Sequence, residues 1–217
     1  MNTKPKGEIH NLFPTPLVKT NIGRDFTKDE IQLLLSDILM WRDKDDKGMT
    51  NHRSNDTYLF DNFAGELNDI KKFCEQQLNI YLEEIEGIDT NLATLRITQS
   101  WLNKTNPGES HHAHSHGNSY LSGVLYISCL PNDSIIISSR VSTMFNNLQF
   151  KINKVTQWNG LHHKQSVVKG DLIIFPSWIP HQVGVNKTKD KERISLSFNT
   201  FPIGEMGDYN EISQLIL

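Results

Sequence analysis

The second half of the chain, from about residue 90 onward, restricts the possible folds more than any other part of the sequence. It consists of short apolar runs separated by turn residues such as Gly170-Asp171, with no helical repeat between them. The runs are 95–103, 120–128, 134–138, 165–168, 171–176, 182–185 and 193–201. Many short strands with turns between them predict an antiparallel sandwich or jelly roll.

The first half of the chain has helical patterning instead. Thr27 and Glu30 have the spacing of a capping box, which marks the start of a helix. The apolar residues behind them repeat at helical spacing, namely Ile31, Leu34, Leu35, Ile38 and Trp41. A second helix is predicted over about 66–86, and the polar segment 43–57 between the two is predicted to be a long loop.

We therefore expect a single domain over 1–217 that is mainly β. In this interpretation a β-barrel-like body at 91–217 carries a helical N-terminal part, 1–90, on its outside. The apolar segment 12–17 contains two prolines and should form an edge strand or an extended segment lying on the body.

Composition excludes several classes of partner. The formal net charge of −3 offers no global field that would attract nucleic acid. No apolar run approaches the ~20 residues needed to span a bilayer. The first residues are polar and lack an apolar stretch, so we expect no signal sequence. Cys74 and Cys129 lie in apolar segments and are predicted to be buried thiols in a reducing compartment. We expect a cytoplasmic protein without a nucleic-acid or membrane partner.

Histidines are concentrated in one segment, Gly108-Glu-Ser-His-His-Ala-His-Ser-His116, which holds four of the nine in the chain. Residues i and i+2 of a strand share a face, so either His112/His114 or His114/His116 could grip one metal ion. His181 ends an apolar strand-like segment, where a metal would satisfy one of its ring nitrogens. The alternatives are a solvated histidine-rich loop and a hydrogen-bonded core histidine.

Arg193, Ser195 and Ser197 alternate along the last predicted strand and should share one face. If that face is buried, Arg193 needs an anionic partner, because its charge is costly to leave unpaired. A carboxylate would suit the planar guanidinium, and the Ser195 hydroxyl could add a hydrogen bond. The alternative is an outward arginine paired with a surface acid such as Glu192.

These motifs resemble the iron(II)/2-oxoglutarate-dependent oxygenase superfamily, and most closely a 2OG-Fe(II) oxygenase family common in marine phage and bacteria. The matching motifs are Leu12-Phe-Pro-Thr-Pro, Trp101-Leu-Asn103, Gly108-x-x-His111-x-x-His114-x-His116, Leu121-Ser-Gly-Val-Leu-Tyr126, Gly170-Asp-Leu-Ile-Ile-Phe-Pro176, His181 and Arg193-Ile-Ser-Leu-Ser-Phe-Asn199. The resemblance covers nearly the whole chain. It implies a double-stranded β-helix, a cupin-like jelly roll.

The resemblance also implies the residues of the site. His114, His116 and His181 would be the catalytic metal ligands for Fe(II), and Arg193 and Ser195 would bind the distal carboxylate of the cosubstrate 2-oxoglutarate. One feature departs from the usual pattern, because most of the superfamily has an acid where this chain has His116. Tyr126 and Asn103 lie on strands that could also face the cosubstrate, with core packing and a strand-end turn as alternatives.

The implied function is hydroxylation of an unidentified substrate, small molecule or macromolecule, with conversion of 2-oxoglutarate to succinate and CO2. The loops 43–57 and 143–161 are expected to line the mouth of the barrel. A homodimer is the candidate assembly. The alternative functions are a cupin-like module that binds a sugar or small molecule without turnover, and a zinc-dependent hydrolase or isomerase on the same barrel.

Overall fold

The computed structural model describes residues 7–36, 51–139 and 151–217, together with the backbone of 41–42. Its strands are β1 Val18–Asn21, β2 Trp41–Arg42, β3 His52–Ser54, β4 Ala93–Thr105, β5 His111–His114, β6 Leu121–Ser128, β7 Ser134–Ser138, β8 His162–Ser166, β9 Asp171–Pro176, β10 His181–Val183, β11 Arg193–Met206 and β12 Leu215–Ile216. Its helices are α1 Lys28–Leu34, α2 Leu59–Asn62 and α3 Asn68–Ile80, the last continuing into a π-helical turn, Tyr81–Glu86.

The strands form two antiparallel sheets. In the described part of the chain, the larger sheet has the order β1-β9-β6-β11-β4-β3-β2, with β12 added beside β11. The smaller sheet has the order β5-β10-β7-β8. Neighbouring strands of a sheet are often distant in the chain, as expected for a jelly roll rather than a simple meander.

Two apolar clusters follow from the alternation of side chains along the strands of the larger sheet. Leu125, Leu196 and Phe198 lie in a core shared with the helices, where Leu78 of α3 is fully buried. On the opposite face, Tyr126 of β6 packs with Ile173 and Phe175 of β9 against Ile135 of the smaller sheet. Arg193, Ser195 and Ser197 alternate with the apolar residues of β11 and are all buried, which confirms their predicted common face.

The first predicted helix is confirmed at its start and is shorter than predicted. The Glu30 backbone N–H donates to Thr27 Oγ1 at 3.2 Å, and the Thr27 N–H donates to Glu30 Oε2 at 2.7 Å. The helix ends at Leu34, and Trp41 lies in β2 instead of on the helix. Pairing of Trp41 with Ser54 of β3 supplies backbone hydrogen bonds that helical spacing alone does not reveal. Ile38 lies outside the described residues.

The remaining predictions differ in detail. The second helix is confirmed as α3 and its π-helical continuation. The predicted loop at 43–57 is wrong at His52–Ser54, which pairs with β4, and 43–50 lie outside the described residues. The edge strand is β1, next to the predicted segment 12–17, and the strand predicted at 165–168 lies at His162–Ser166 because it pairs with β7.

Both described cysteines are free thiols; Cys74 is buried and Cys129 is half-buried. Within the described ranges, no helix combines the length and apolar character that crossing a membrane requires.

Candidate metal centre and adjoining pocket

Three histidines converge where the histidine-rich segment meets β10. His114 of β5 lies directly opposite His181 in the antiparallel β5–β10 pair. His116 follows β5, and its backbone N–H donates to the Ser177 carbonyl at 2.9 Å. One ring nitrogen from each of the three lies within 4.8 Å of the other two. We call His114, His116 and His181 the histidine cluster.

Backbone carbonyls set the tautomers of two of these rings. His114 Nδ1 lies 2.9 Å from the His112 carbonyl, and His181 Nδ1 lies 3.2 Å from the Ile179 carbonyl. A carbonyl can only accept, so both Nδ1 atoms carry the proton and both Nε2 atoms keep a lone pair. His181 Nε2 lies 3.4 Å from His116 Nε2, so the ring nitrogens of these two residues face the same small space.

A chain of polar side chains supports His116 from behind. The Asn199 side-chain amide lies 3.4 Å from His116 Nδ1, and Ser122 Oγ donates to Asn199 Oδ1 at 2.9 Å. Ser122 Oγ is also 2.8 Å from Ser177 Oγ, in the turn that leads to His181. The same network therefore orients one histidine of the cluster and the segment that carries another.

Burial keeps the histidine cluster neutral. Desolvation, followed by the neighbouring His114, lowers the pKa of His181 to about 3 and that of His116 to about 4. Desolvation also lowers the pKa of His114. Neutral imidazoles offer lone pairs at physiological pH, and three such nitrogens suit a divalent transition metal such as iron or zinc.

The other two histidines of the segment, His111 and His112, lie beside His114 but are not among the three whose ring nitrogens converge. The His112 side chain is exposed, and its contribution is the carbonyl that orients His114. His111 was not predicted as a site residue, yet it stacks on His114 with ring centroids 4.3 Å apart and lines the adjoining pocket. Its pairing with Val183 of β10 places it there. Its sequence signals were the density of histidines and its place in the Gly108-x-x-His111 motif.

A pocket bordered by the histidine cluster also contains all four residues predicted to contact the cosubstrate. They are Asn103, Tyr126, Arg193 and Ser195. Ser195 lies opposite both Asn103 and Tyr126 in the sheet, which explains why three separate strands contribute to one wall. Of the loop expected at the mouth, residues 155–157 and 160–161 instead border a separate cavity beside β7 and β8, while 143–150 lie outside the described residues.

Arg193 is buried, so its interpretation as a surface residue paired with Glu192 is wrong. Its Nε donates to both Asp133 oxygens at 2.9 and 2.8 Å, and its Nη2 donates to Asp133 Oδ1 at 2.6 Å. These contacts occupy one edge of the guanidinium. Apart from the contact with Asp133, the hydrogen bond of the other edge, Nη1–Nη2, within the described residues is from Nη1 to the Gly184 carbonyl at 3.5 Å. Asp133 was not predicted from the sequence as a site residue.

Tyr126 brings a buried hydroxyl to the same pocket. Its side chain is 1% exposed, and its hydroxyl has no hydrogen-bond partner among the residues that the structure describes. Burial, followed by the charge of Asp133, raises its pKa far above the usual range, so the phenol remains a neutral donor. An unsatisfied buried donor in a pocket indicates a missing acceptor.

Asn103 is held more tightly by the protein itself. Its Nδ2 donates to Ser197 Oγ at 3.0 Å, and its Oδ1 accepts from Asn51 Nδ2 at 3.3 Å. This favours a part in building the pocket wall over presenting a freely available amide.

Residues 99–199 match the family described as "Putative 2OG-Fe(II) oxygenase". That range contains the histidine cluster, Asp133 and Arg193. Over those residues the chain is similar to the 2OG-Fe(II) oxygenases. The ring nitrogens of the histidine cluster could hold the Fe(II) that this family description names. A comparison with curated proteins finds no match.

Three solved enzyme structures share the fold of this chain. A Pseudomonas putida prolyl-4-hydroxylase has a TM-score of 0.51 at 15% identity, over 85% of this chain and 92% of its own. The carbocyclase SnoK from nogalamycin biosynthesis has a TM-score of 0.58 at 11% identity, over 86% and 79%. HygX from Streptomyces hygroscopicus, solved with nickel and 2-oxoglutarate, has a TM-score of 0.52 at 11% identity, over 86% and 83%. These similarities confirm the predicted jelly roll.

Proposed function

We propose that the histidine cluster holds Fe(II) and that the enzyme hydroxylates an unidentified substrate while converting 2-oxoglutarate to succinate and CO2. The observation that carries this proposal is the composition of one pocket. The same pocket is lined by the neutral histidine cluster, by the buried guanidinium of Arg193 and by Tyr126, whose hydroxyl has no partner among the described residues. Bound Fe(II) would supply the oxidising chemistry; the protein supplies the ligands, the cosubstrate anchor and the exclusion of water.

The anchor for the distal carboxylate of 2-oxoglutarate would be the Nη1–Nη2 edge of Arg193. Two parallel N–H groups suit a carboxylate, and the edge is not used by Asp133. The Tyr126 hydroxyl would donate a further hydrogen bond and thereby lose its unsatisfied state. Ser195, 6% exposed on the same strand face as Arg193, would add another.

The three-histidine ligand set fits an anionic cosubstrate on charge grounds. Replacing the usual acid by His116 leaves the two positive charges of Fe(II) without an anionic protein ligand in the cluster. A 2-oxo acid would supply the missing negative charge through its own carboxylate. We therefore expect cosubstrate binding to matter more for the charge balance of this centre than in relatives with a ligating acid.

The test is anaerobic reconstitution with Fe(II), followed by titration with 2-oxoglutarate and detection of the visible charge-transfer band. Wild-type protein should develop the band. Arg193→Ala should weaken 2-oxoglutarate binding by about 2–5 kcal/mol, the cost of truncating one partner of a buried charge pair, with unchanged Fe(II) affinity. Arg96→Ala is the matched control, because Arg96 is exposed on β4 outside the pocket.

Other outcomes would favour the alternative functions. Equal binding of 2-oxoglutarate by wild type and Arg193→Ala would contradict the proposed anchor. Tight binding of zinc alone, without a band from Fe(II) and 2-oxoglutarate, would favour a hydrolase or isomerase. Binding of 2-oxoglutarate without release of succinate under air, with or without added substrates, would favour a binding module.

A further inference from the structure

Asp133 is a buried acid whose position is set by its own turn. It lies between β6 and β7 and is 4% exposed. Its Oδ2 accepts from the Leu130 backbone N–H at 3.1 Å and its Oδ1 from the Ser134 backbone N–H at 2.9 Å. Two backbone donors therefore hold this carboxylate in place. Arg193, sixty residues away in the chain, donates hydrogen bonds to it, so the carboxylate sets the position of the guanidinium.

The contact geometry determines which part of Arg193 faces the pocket. Asp133 takes Nε and Nη2, the edge along the side of the guanidinium. A planar group held along one edge cannot rotate freely, so the Nη1–Nη2 edge has a defined direction. Arg193 shares the pocket with the unsatisfied Tyr126 hydroxyl. The side-chain entropy of a long arginine is thus already lost before any ligand binds.

The pairing also changes how the pocket selects its ligand. Asp133 offsets the charge of Arg193, so simple attraction of any anion is reduced. Binding then depends mainly on geometry: the ligand must place an acceptor group against two parallel N–H groups whose position is fixed. Such a site discriminates by the length and shape of a dicarboxylic acid more than by its charge.

We propose that Asp133 is the positioning residue of the cosubstrate anchor, which fixes Arg193 so that the pocket selects a 2-oxo dicarboxylic acid of one chain length. This inference rests on the proposed function of Arg193. An asparagine at position 133 cannot substitute, because both Asp133 oxygens accept N–H groups. In either orientation, the new amide nitrogen would face a donor.

The experiment compares Asp133→Asn with Asp171→Asn, a matched control. Asp171 is also a buried acid, 3% exposed, that accepts a backbone N–H in its own turn, from Val168 at 2.8 Å. Its cation is Lys19, at 2.9 Å, and it does not line the pocket. Loss of a buried, backbone-bound carboxylate is common to both variants, so a general structural effect should appear in both.

The measurements are Fe(II) affinity and anaerobic binding of 2-oxoglutarate and of 2-oxoadipate, which is one methylene longer. Asp133→Asn should weaken 2-oxoglutarate about tenfold or more and reduce its advantage over 2-oxoadipate, with unchanged Fe(II) affinity. Asp171→Asn should change neither the affinity for 2-oxoglutarate nor its advantage over 2-oxoadipate. In an Arg193→Ala background, Asp133→Asn should cause no further loss, because it acts through the arginine.

Asp133→Glu covers the case in which the asparagine variant does not fold, since it keeps the charge and shifts the carboxylate by one methylene. It should also reduce the discrimination between the two oxo acids. Unchanged affinity and discrimination in the folded Asp133 variants, or equal losses in Asp171→Asn, would overturn the proposal. If Arg193→Ala alone weakens 2-oxoglutarate, the proposed function survives that failure. If Arg193→Ala has no effect, the proposed function itself fails.

Discussion

Tyr126→Phe should move two properties of this enzyme in opposite directions. The substitution removes one oxygen atom and keeps the ring, which packs against Ile135, Ile173 and Phe175. The lost hydroxyl is fully buried and has no partner among the described residues. The variant thus removes an unsatisfied polar group from the ligand-free protein and, under the proposed function, a hydrogen-bond donor from the cosubstrate complex.

The magnitudes follow from these two states. An unsatisfied buried hydroxyl costs roughly 1–3 kcal/mol, so ligand-free Tyr126→Phe should be more stable by about 1 kcal/mol or more. For a chain of this size that is a rise in Tm of about 2–4 °C per kcal/mol. A hydrogen bond to a charged carboxylate contributes about 1.5–3 kcal/mol, so 2-oxoglutarate should bind roughly 10-fold to 150-fold more weakly.

Thermal unfolding of the ligand-free protein and anaerobic titration of the Fe(II) form with 2-oxoglutarate measure the two effects. Tyr120→Phe is the control, because its hydroxyl already donates to Glu86 at 2.7 Å and lies outside the pocket. That variant should show neither change. A lower Tm for Tyr126→Phe together with unaltered cosubstrate affinity would refute the reasoning, since the hydroxyl would then have a structural partner and no ligand.

Three further predictions concern the cluster and the sheet. Alanine at any member of the histidine cluster should abolish stoichiometric Fe(II) binding in an anaerobic titration, whereas His112→Ala should retain it because that ring is exposed. Ligand-free protein should lose stability to urea as the pH falls from about 6.5 towards 4. In this range the histidines of the unfolded chain take up protons, whereas the buried cluster stays neutral because its pKa values are lowered. A urea midpoint that does not depend on pH would contradict this. Gly123→Ala should destabilise by about 1–3 kcal/mol in the same assay, since a Cβ would lie 2.0 Å from Phe198 Cζ, and wild-type stability would show that the ring can move aside.

Local periodicity explains why much of the fold was predictable. The alternation of Arg193, Ser195 and Ser197 with apolar neighbours depends only on the two-residue repeat of a strand, and it holds in β11. The capping box at Thr27 is equally local, and it forms. Predictions failed where pairing with a distant segment decided the conformation, as at Trp41, which joins β3. The strand predicted at 165–168 was displaced for the same reason, by its pairing with β7.

The candidate site divides in the same way. The sequence by itself determined which residues were candidates: the dense group of histidines at 111–116, the distant His181, and Arg193 on a polar strand face. Strand spacing left His112 and His116 open, and the family resemblance favoured His116. The tertiary structure gives the physical reason, because the β5–β10 register and the contact with Ser177 place the His116 ring beside His181. Only it revealed Asp133, since an ion pair between residues sixty positions apart has no local periodicity. The spacing of residues along one strand can be read from the sequence. Which residues from different strands meet in a pocket depends on how the two sheets pack against each other.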